Sequence, residues 1–338
     1  MAASTAKLLQ YAIAYFVLYV ITGVSIKYFE GARIDGFLGF TDLDYLVYST
    51  IGSAAVCLGV IFGAGWLRFN FHRQDILAML ASGFCTAIVL PTTTLLYSLP
   101  VSVMVAMTVM RGSIICVSRA VDALLRWQGL ATIPVRREEN FAILFAIAGV
   151  SVNLIHAGNK DFHFLDSPPA LWILGSYILF YAIRIYCMNY FKQTRSKASL
   201  ATNKNYFAGE QVFASVILIS FVALVRFTSI EWLPFDISTL KSTLQSPPEY
   251  WGWATLSGSF FGASAFFSVF LFLFQDRNST FSTLVNRVSS LLAGITATLL
   301  FALLFKGSYP KALDWLGVFF ILIAVYFLSV AEKKNQLA

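Results

Sequence analysis

The chain has 338 residues, of which 58% are hydrophobic and only 12% charged, with a mean hydropathy of +0.73. A water-soluble domain carries about a quarter of its residues as charge, so this composition excludes an ordinary soluble enzyme and points to lipid as the surrounding solvent. The net charge of +7 would suggest nucleic acid in a soluble chain, but here it follows membrane topology, and no nucleic-acid partner is expected.

Apolar runs of spanning length lie at about 8–28, 45–66, 76–97, 101–125 and 141–158. A second series follows at about 169–191, 206–226, 250–274, 279–305 and 313–331. Each approaches or exceeds the roughly 20 residues that cross the hydrocarbon core. The N-terminal stretch enters the first run without a small-residue cleavage site and reads as a retained helix. Between the runs stand turn formers: Pro134, Ser167-Pro168-Pro169, Pro234, Ser246-Pro247-Pro248, and Gly307 with Pro310. With the N-terminus cytoplasmic, fourteen Lys and Arg fall on the inside and seven outside, leaving Arg111, Arg184 and Arg287 within spans. That imbalance predicts both termini inside. The cysteines (Cys57, Cys85, Cys116 and Cys187) lie in apolar runs without metal-ligand spacing and read as packing residues.

The two series repeat one another. Met110-Arg111-Gly112-Ser113 in the fourth run matches Asn286-Arg287-Val288-Ser289 in the ninth. Ala148-Gly149-Val150 matches Ala324-Val325-Tyr326, Ser82-Gly83 matches Ser257-Gly258, and Tyr15 and Tyr19 match Tyr177 and Tyr181. Four matches in the same order define units 1–160 and 161–338 of five helices each. An odd helix number inserts the two units with opposite polarity, the construction used for alternating access around a central site. Gly83-x-x-x-Ala87 and Gly258-x-x-x-Gly262 fall at matching places and predict close helix crossings. The fold class is therefore all-α integral membrane, with ten helices in two inverted five-helix repeats.

A mid-membrane arginine costs at least about 2.5–3.5 kcal/mol. Arg111 lies ten residues past Val101 and Arg287 ten residues past Arg277, so they reach a similar depth from opposite sides, and no acidic residue falls at that depth. Asp122 is placed to pair with Arg119 or Arg126, and Glu210 can reach Arg184. Two guanidiniums without a protein counter-ion make a site for phosphate or carboxylate; the bland alternative satisfies them with carbonyls, hydroxyls and water. Around them, Thr280, Thr283, Arg287, Ser290, Gly294 and Thr298 form a polar stripe on the ninth span. Met104, Met107, Thr108, Arg111 and Ser118 share a face of the fourth. Pro91 with Thr92, Thr93 and Thr94, followed by Tyr97, reads either as a broken helix or as a kink satisfied by its own hydroxyls. Tyr15, Tyr19, Tyr177 and Tyr181 sit at i, i+4 on the first helix of each unit, as cavity or packing residues. No catalytic triad, glycine-rich phosphate loop or metal-binding cluster is present, so neither enzymatic chemistry, cofactor nor metal is expected.

Ten spans in two inverted units, with arginines on the fourth and ninth, resemble the drug/metabolite transporter superfamily (EamA-like) over nearly the whole chain. Thr108-Val109-Met110-Arg111 looks like the segment that carries a Lys or Arg in nucleotide-sugar transporters. Thr283-Leu284-Val285-Asn286-Arg287 resembles the Gly-Ala-Leu-Asn-Lys motif of GDP-mannose transporters, keeping the Asn-basic pair but not the preceding small residues. The Phe-Tyr-Asn-Asn motif of that group has no match; Asn205-Tyr206-Phe207-Ala208-Gly209-Glu210-Gln211 stands in its region. The resemblance implies a transporter of a phosphate-bearing solute such as a nucleotide sugar, exchanged for another anion.

The expected function is thus secondary-active exchange of an anionic metabolite across a membrane. Substrate contacts are expected from Arg111, Arg287, Thr108, Asn286, Thr283, Ser290, Tyr97, Tyr19, Tyr181 and Arg184. Two other readings stand beside it. One is a proton- or gradient-driven exporter of amino acids or drugs, which needs a titratable carboxylate such as Glu210. The other is a polyprenyl-phosphate flippase or a non-transporting scaffold. Membrane lipid is the expected surround, as a monomer or homodimer, with a bacterial inner membrane favoured over an ER or Golgi membrane.

Overall fold

Lipid offers no hydrogen-bond partners to a peptide backbone, so an apolar run immersed in it must close its own hydrogen bonds, and helices do so. A computed structural model describes residues 2–30, 39–66, 73–130, 136–156, 163–194, 200–227, 238–272 and 279–336. Pro134 and Pro234 lie outside them. The described residues form eleven α-helices, one short 3₁₀ turn (Phe164–Asp166) and no strand. The helices are α1 (Ala2–Glu30), α2 (Asp42–Gly63), α3 (Arg73–Ser98), α4 (Val103–Trp127), α5 (Arg137–His156), α6 (Pro168–Thr194), α7 (Leu200–Phe227), α8 (Ser238–Gln245), α9 (Trp251–Phe272), α10 (Ser279–Phe305) and α11 (Ala312–Gln336).

Nine of these, judged on the described residues, are long and apolar enough to cross a membrane. The protein is an all-α membrane protein of multi-pass type. α9 is the remaining long helix: it spans 22 residues and carries no charge. The short α8 was not anticipated from sequence. It is tied down where Thr243 donates to the Asp44 carboxylate at 2.6 Å and Tyr48 donates to the Thr243 carbonyl at 3.0 Å.

Helix ends follow local chemistry. Thr41 and Asp44 form a reciprocal capping box at the start of α2. Ser102 caps α4, whose far end closes through Gly129 at φ 72°. Pro168 and Pro169 open α6, where a missing N–H costs nothing. Within α3, Pro91 does not break the helix. The Thr92 hydroxyl donates to the Ile88 and Val89 carbonyls, Thr93 to Val89 and Thr94 to Leu90, so the hydroxyls after Pro91 are taken up by the helix itself. Of the two readings of Pro91, the broken helix is corrected: the helix continues through it, with the following threonine hydroxyls turned onto its own backbone.

Large apolar side chains cover the outside, with Trp172, Leu144, Phe62 and Leu304 all more than half exposed, as lipid-facing surfaces require. Inside, α1 packs on α9 and α10, α2 on α9, α3 on α6 and α7, α4 on α5, α6 and α10, and α5 on α11. Small residues set the tightest crossings. A Cβ at Gly258 would overlap the Ser49 backbone of α2, one at Gly52 the Thr255 carbonyl of α9, and one at Gly83 the Glu210 carbonyl of α7.

Candidate functional site

Arg111 stands eight residues beyond Val103 on α4, about 12 Å along the axis at 1.5 Å per residue. Tyr15 and Tyr19, one turn apart on α1, present their hydroxyls to it, and the guanidinium donates to both at 3.3 Å. Its carbon also lies 5.8 Å from the centre of the Tyr19 ring. From α6, Tyr177 and Tyr181 lie within electrostatic range of the same charge. From α3, the Tyr97 hydroxyl donates to the Met107 sulfur at 3.0 Å and lies 3.5 Å from the Tyr19 hydroxyl. The rings of Tyr15 and Tyr19 sit 5.1 Å apart, those of Tyr177 and Tyr181 5.4 Å. One cation is thus enclosed by five phenols drawn from three helices. Its Nε is buried with no hydrogen-bond partner, and among the described residues no carboxylate forms an ion pair with it.

Arg287 occupies a different place. It lies eight residues into α10, and its guanidinium meets the Ser118 hydroxyl at 3.5 Å. Ser118 is seven residues past Arg111 on α4, about 10 Å further along the axis. The two arginines thus do not share one site: Arg111 meets the tyrosines, and Arg287 meets Ser118 further along α4. The absence of an acidic neighbour also fails for Arg287, because Asp122 lies within electrostatic range of Arg287 as well as of Arg119 and Arg126. Arg119 in turn pairs with Glu139 of α5 at 3.6 Å. A charged cluster therefore joins α4, α5 and α10 at the Trp127 end of α4.

Arg184 is neutralised. Its Nε meets a Glu210 carboxylate oxygen at 2.5 Å, and that oxygen also accepts from Ser82 at 2.9 Å and Thr86 at 2.6 Å. The Arg184 guanidinium lies 5.9 Å from the centre of the Tyr181 ring, so this neutral assembly borders the tyrosine cluster without adding charge to it. Thr108 is fully buried and bonds the Met104 carbonyl of its own helix. Asn286 donates to Ser268 of α9 at 2.8 Å. Ser290 bonds the Arg287 carbonyl and lies beside the Tyr15 hydroxyl. The side chain of Thr283 lies outside the described residues. Of the expected contacts, Tyr19, Tyr97 and Tyr181 gather at Arg111 with Ser290 close by; Asn286 and Arg287 form separate contacts along α10.

Tyr15 and Tyr177 prove as central as their partners, and the i, i+4 spacing already contained that signal. Asp122 keeps Arg126 and Arg119 of its own helix as neighbours, and the packing of α10 adds Arg287, which spacing along α4 could not show. Glu30 drew no notice: its Oε1 accepts from Ser98 at 2.6 Å while its Oε2 is buried without a donor. One turn earlier, Lys27 donates to the Leu99 carbonyl at 2.7 Å and borders a cavity of about 180 Å³ at the Val103 end of α4. Ser102, Thr298, Lys311 and Asp314 also line that cavity. Among the described residues no group of His, Cys, Asp or Glu is placed to hold a metal ion, and all four cysteines are free thiols.

No protein-family model and no curated protein matches this sequence. A solved structure described as "Crystal structure of protein" is similar over 97% of this chain and 98% of its own, with a TM-score of 0.47 and 13% identity.

Proposed function

We propose that this multi-pass membrane protein is a secondary-active transporter that carries an anionic solute by alternating access. The observation that carries the reading is Arg111, buried among phenol hydroxyls where helices of the two halves meet, with no carboxylate beside it among the described residues. A guanidinium in that position favours an anion over any neutral solute.

The reading takes α9 as a tenth span and divides the chain at about residue 160. Exchanging α1–α5 with α6, α7, α9, α10 and α11 maps the α1–α10 contact onto α6–α4, α1–α9 onto α6–α3, and α2–α9 onto α7–α3, while α5–α11 and α4–α10 map onto themselves. That self-consistency supports two equivalent halves rocking against each other about the α4–α10 contact. Both termini are then cytoplasmic, and a bacterial inner membrane is the proposed location.

An anion bound at Arg111 compensates a charge that otherwise stays buried. The loaded carrier therefore reorients more readily than the empty one, which favours exchange over uniport. Phosphorylated metabolites, including the nucleotide sugars implied by the resemblance, belong to the solute class considered. The proton-driven exporter has weaker support, because its carboxylate, Glu210, already accepts from Arg184, Ser82 and Thr86. Counterflow in proteoliposomes tests the reading: Arg111→Gln abolishes anion exchange, and undiminished exchange by that variant rejects it.

A further inference from the structure

We infer that the solute bound at Arg111 carries a single negative charge on an aromatic body, and that dianions such as nucleoside diphosphate sugars are discriminated against. The inference rests on the anion-carrier reading and narrows it. Three arginines lie within the spans, but their charges are not equally available. Arg184 is matched by Glu210, whose carboxylate is almost completely buried against it. Arg287, on α10, meets Ser118 about 10 Å further along α4 and lies within electrostatic range of the Asp122 carboxylate. An acid group reaching toward Arg287 would meet that carboxylate as well. Among the described residues only Arg111 brings an uncompensated positive charge to the tyrosine cluster.

The donor inventory sharpens this. A guanidinium has five N–H donors and no acceptor. Arg111 uses Nη2 on the Tyr15 and Tyr19 oxygens, while its Nε–H has no partner. Each phenol that accepts from Arg111 keeps its own proton to donate elsewhere. The cluster therefore offers donors from Arg111, Tyr15 and Tyr19 around one positive charge, which matches one carboxylate. A second anionic group in the same surroundings would find phenol rings, methionine sulfur and an Arg184 already paired with Glu210, with no further uncompensated cation among the described residues. The ring pairs of α1 and α6 flank the cation from opposite halves, and such rings favour a flat partner in offset or edge contact.

The test is thermal-shift titration and counterflow of the full-length protein with compounds matched in shape and differing in charge. The probes are benzoate, isophthalate, benzamide and cyclohexanecarboxylate, a library of further aromatic monocarboxylates and their dicarboxylate counterparts, and UDP-glucose. The expected result is that the best aromatic monocarboxylate binds at least tenfold more tightly than its dicarboxylate, amide and cyclohexyl counterparts and than UDP-glucose, and that Arg111→Gln removes this binding. UDP-glucose or dicarboxylates binding as tightly as monocarboxylates overturns the inference and leaves the anion carrier standing. Binding that needs charge but not the ring overturns the aromatic part alone. If no anion of either kind binds, both the inference and the anion-carrier reading fall.

Discussion

A guanidinium in a membrane interior holds its proton under all ordinary conditions, so its neighbours decide what it does. At Arg111 those neighbours are hydroxyls, and each is a testable contribution. Tyr19→Phe removes a hydroxyl that accepts from the guanidinium and is free to donate to a bound anion. A hydrogen bond to a charged group contributes about 1.5–3 kcal/mol, so the dissociation constant of a transported anion should rise about tenfold or more. Isothermal titration of the purified variant measures this, with Arg111→Gln as the limiting case. Arg184 behaves differently because its partner is a carboxylate buried with it. Glu210→Gln leaves that arginine without its counter-charge, a change that costs about 3–5 kcal/mol when a buried pair is broken. The variant should therefore melt at a lower temperature, and replacing both residues with Met should recover most of the loss. If Glu210→Gln instead melts like the parent yet transports nothing, Glu210 has a direct role in coupling, and the proton-driven reading gains the support it now lacks.

At the scale of whole helices, two kinds of contact hold the bundle, and they answer to different chemistry. The α2–α9 crossing depends on Gly52 and Gly258 letting backbones approach, since a Cβ at either position would overlap the opposite helix. Gly258→Val forces two methyls and a Cβ into that space, where overpacking costs about 1–3 kcal/mol. A lower melting temperature is expected from Gly258→Val and little change from the same substitution at Gly59, whose Cβ would meet nothing. The α4–α10 contact is polar where Arg287 meets Ser118 and Asp122 lies nearby. That cluster sits at the Trp127 end of α4, whereas the cavity bordered by Lys27 sits at the Val103 end. Under the proposed alternating access, opening the Trp127 end separates Arg287 from these groups. Asp122→Asn should ease that separation, and a cysteine replacing Ser118 in a cysteine-free background should then be labelled severalfold faster by a thiol reagent applied from that side.

For the molecule as a whole, the proposal of two inverted halves makes a prediction independent of the solute. An even number of crossings places both ends of the chain on one face. Epitope tags before α1 and after α11 should both be cleaved by protease only when the cytoplasmic face is exposed. Cleavage of one tag from each face would remove α9 from the set of spanning helices and leave nine. The helices themselves were legible in the sequence, because lipid imposes a requirement each segment meets alone: about 20 apolar residues closing their own backbone hydrogen bonds. Composition and spacing therefore located the long helices, the small-residue crossings and the arginines and tyrosines that stand out within them. Depth and partnership were another matter. Arg111 and Arg287 occupy matching positions in their segments, but antiparallel packing carries one to the tyrosines and the other to Ser118 and Asp122. Pro91 likewise stands in a continuous helix, with the hydroxyls of Thr92 and Thr93 folded back onto the Ile88 and Val89 carbonyls. Segment by segment, the sequence determined what is buried in lipid. Only the tertiary structure decided which buried charges are answered, because a side chain's charge partner belongs to whichever helix packs beside it, and spacing along one helix does not encode that neighbour.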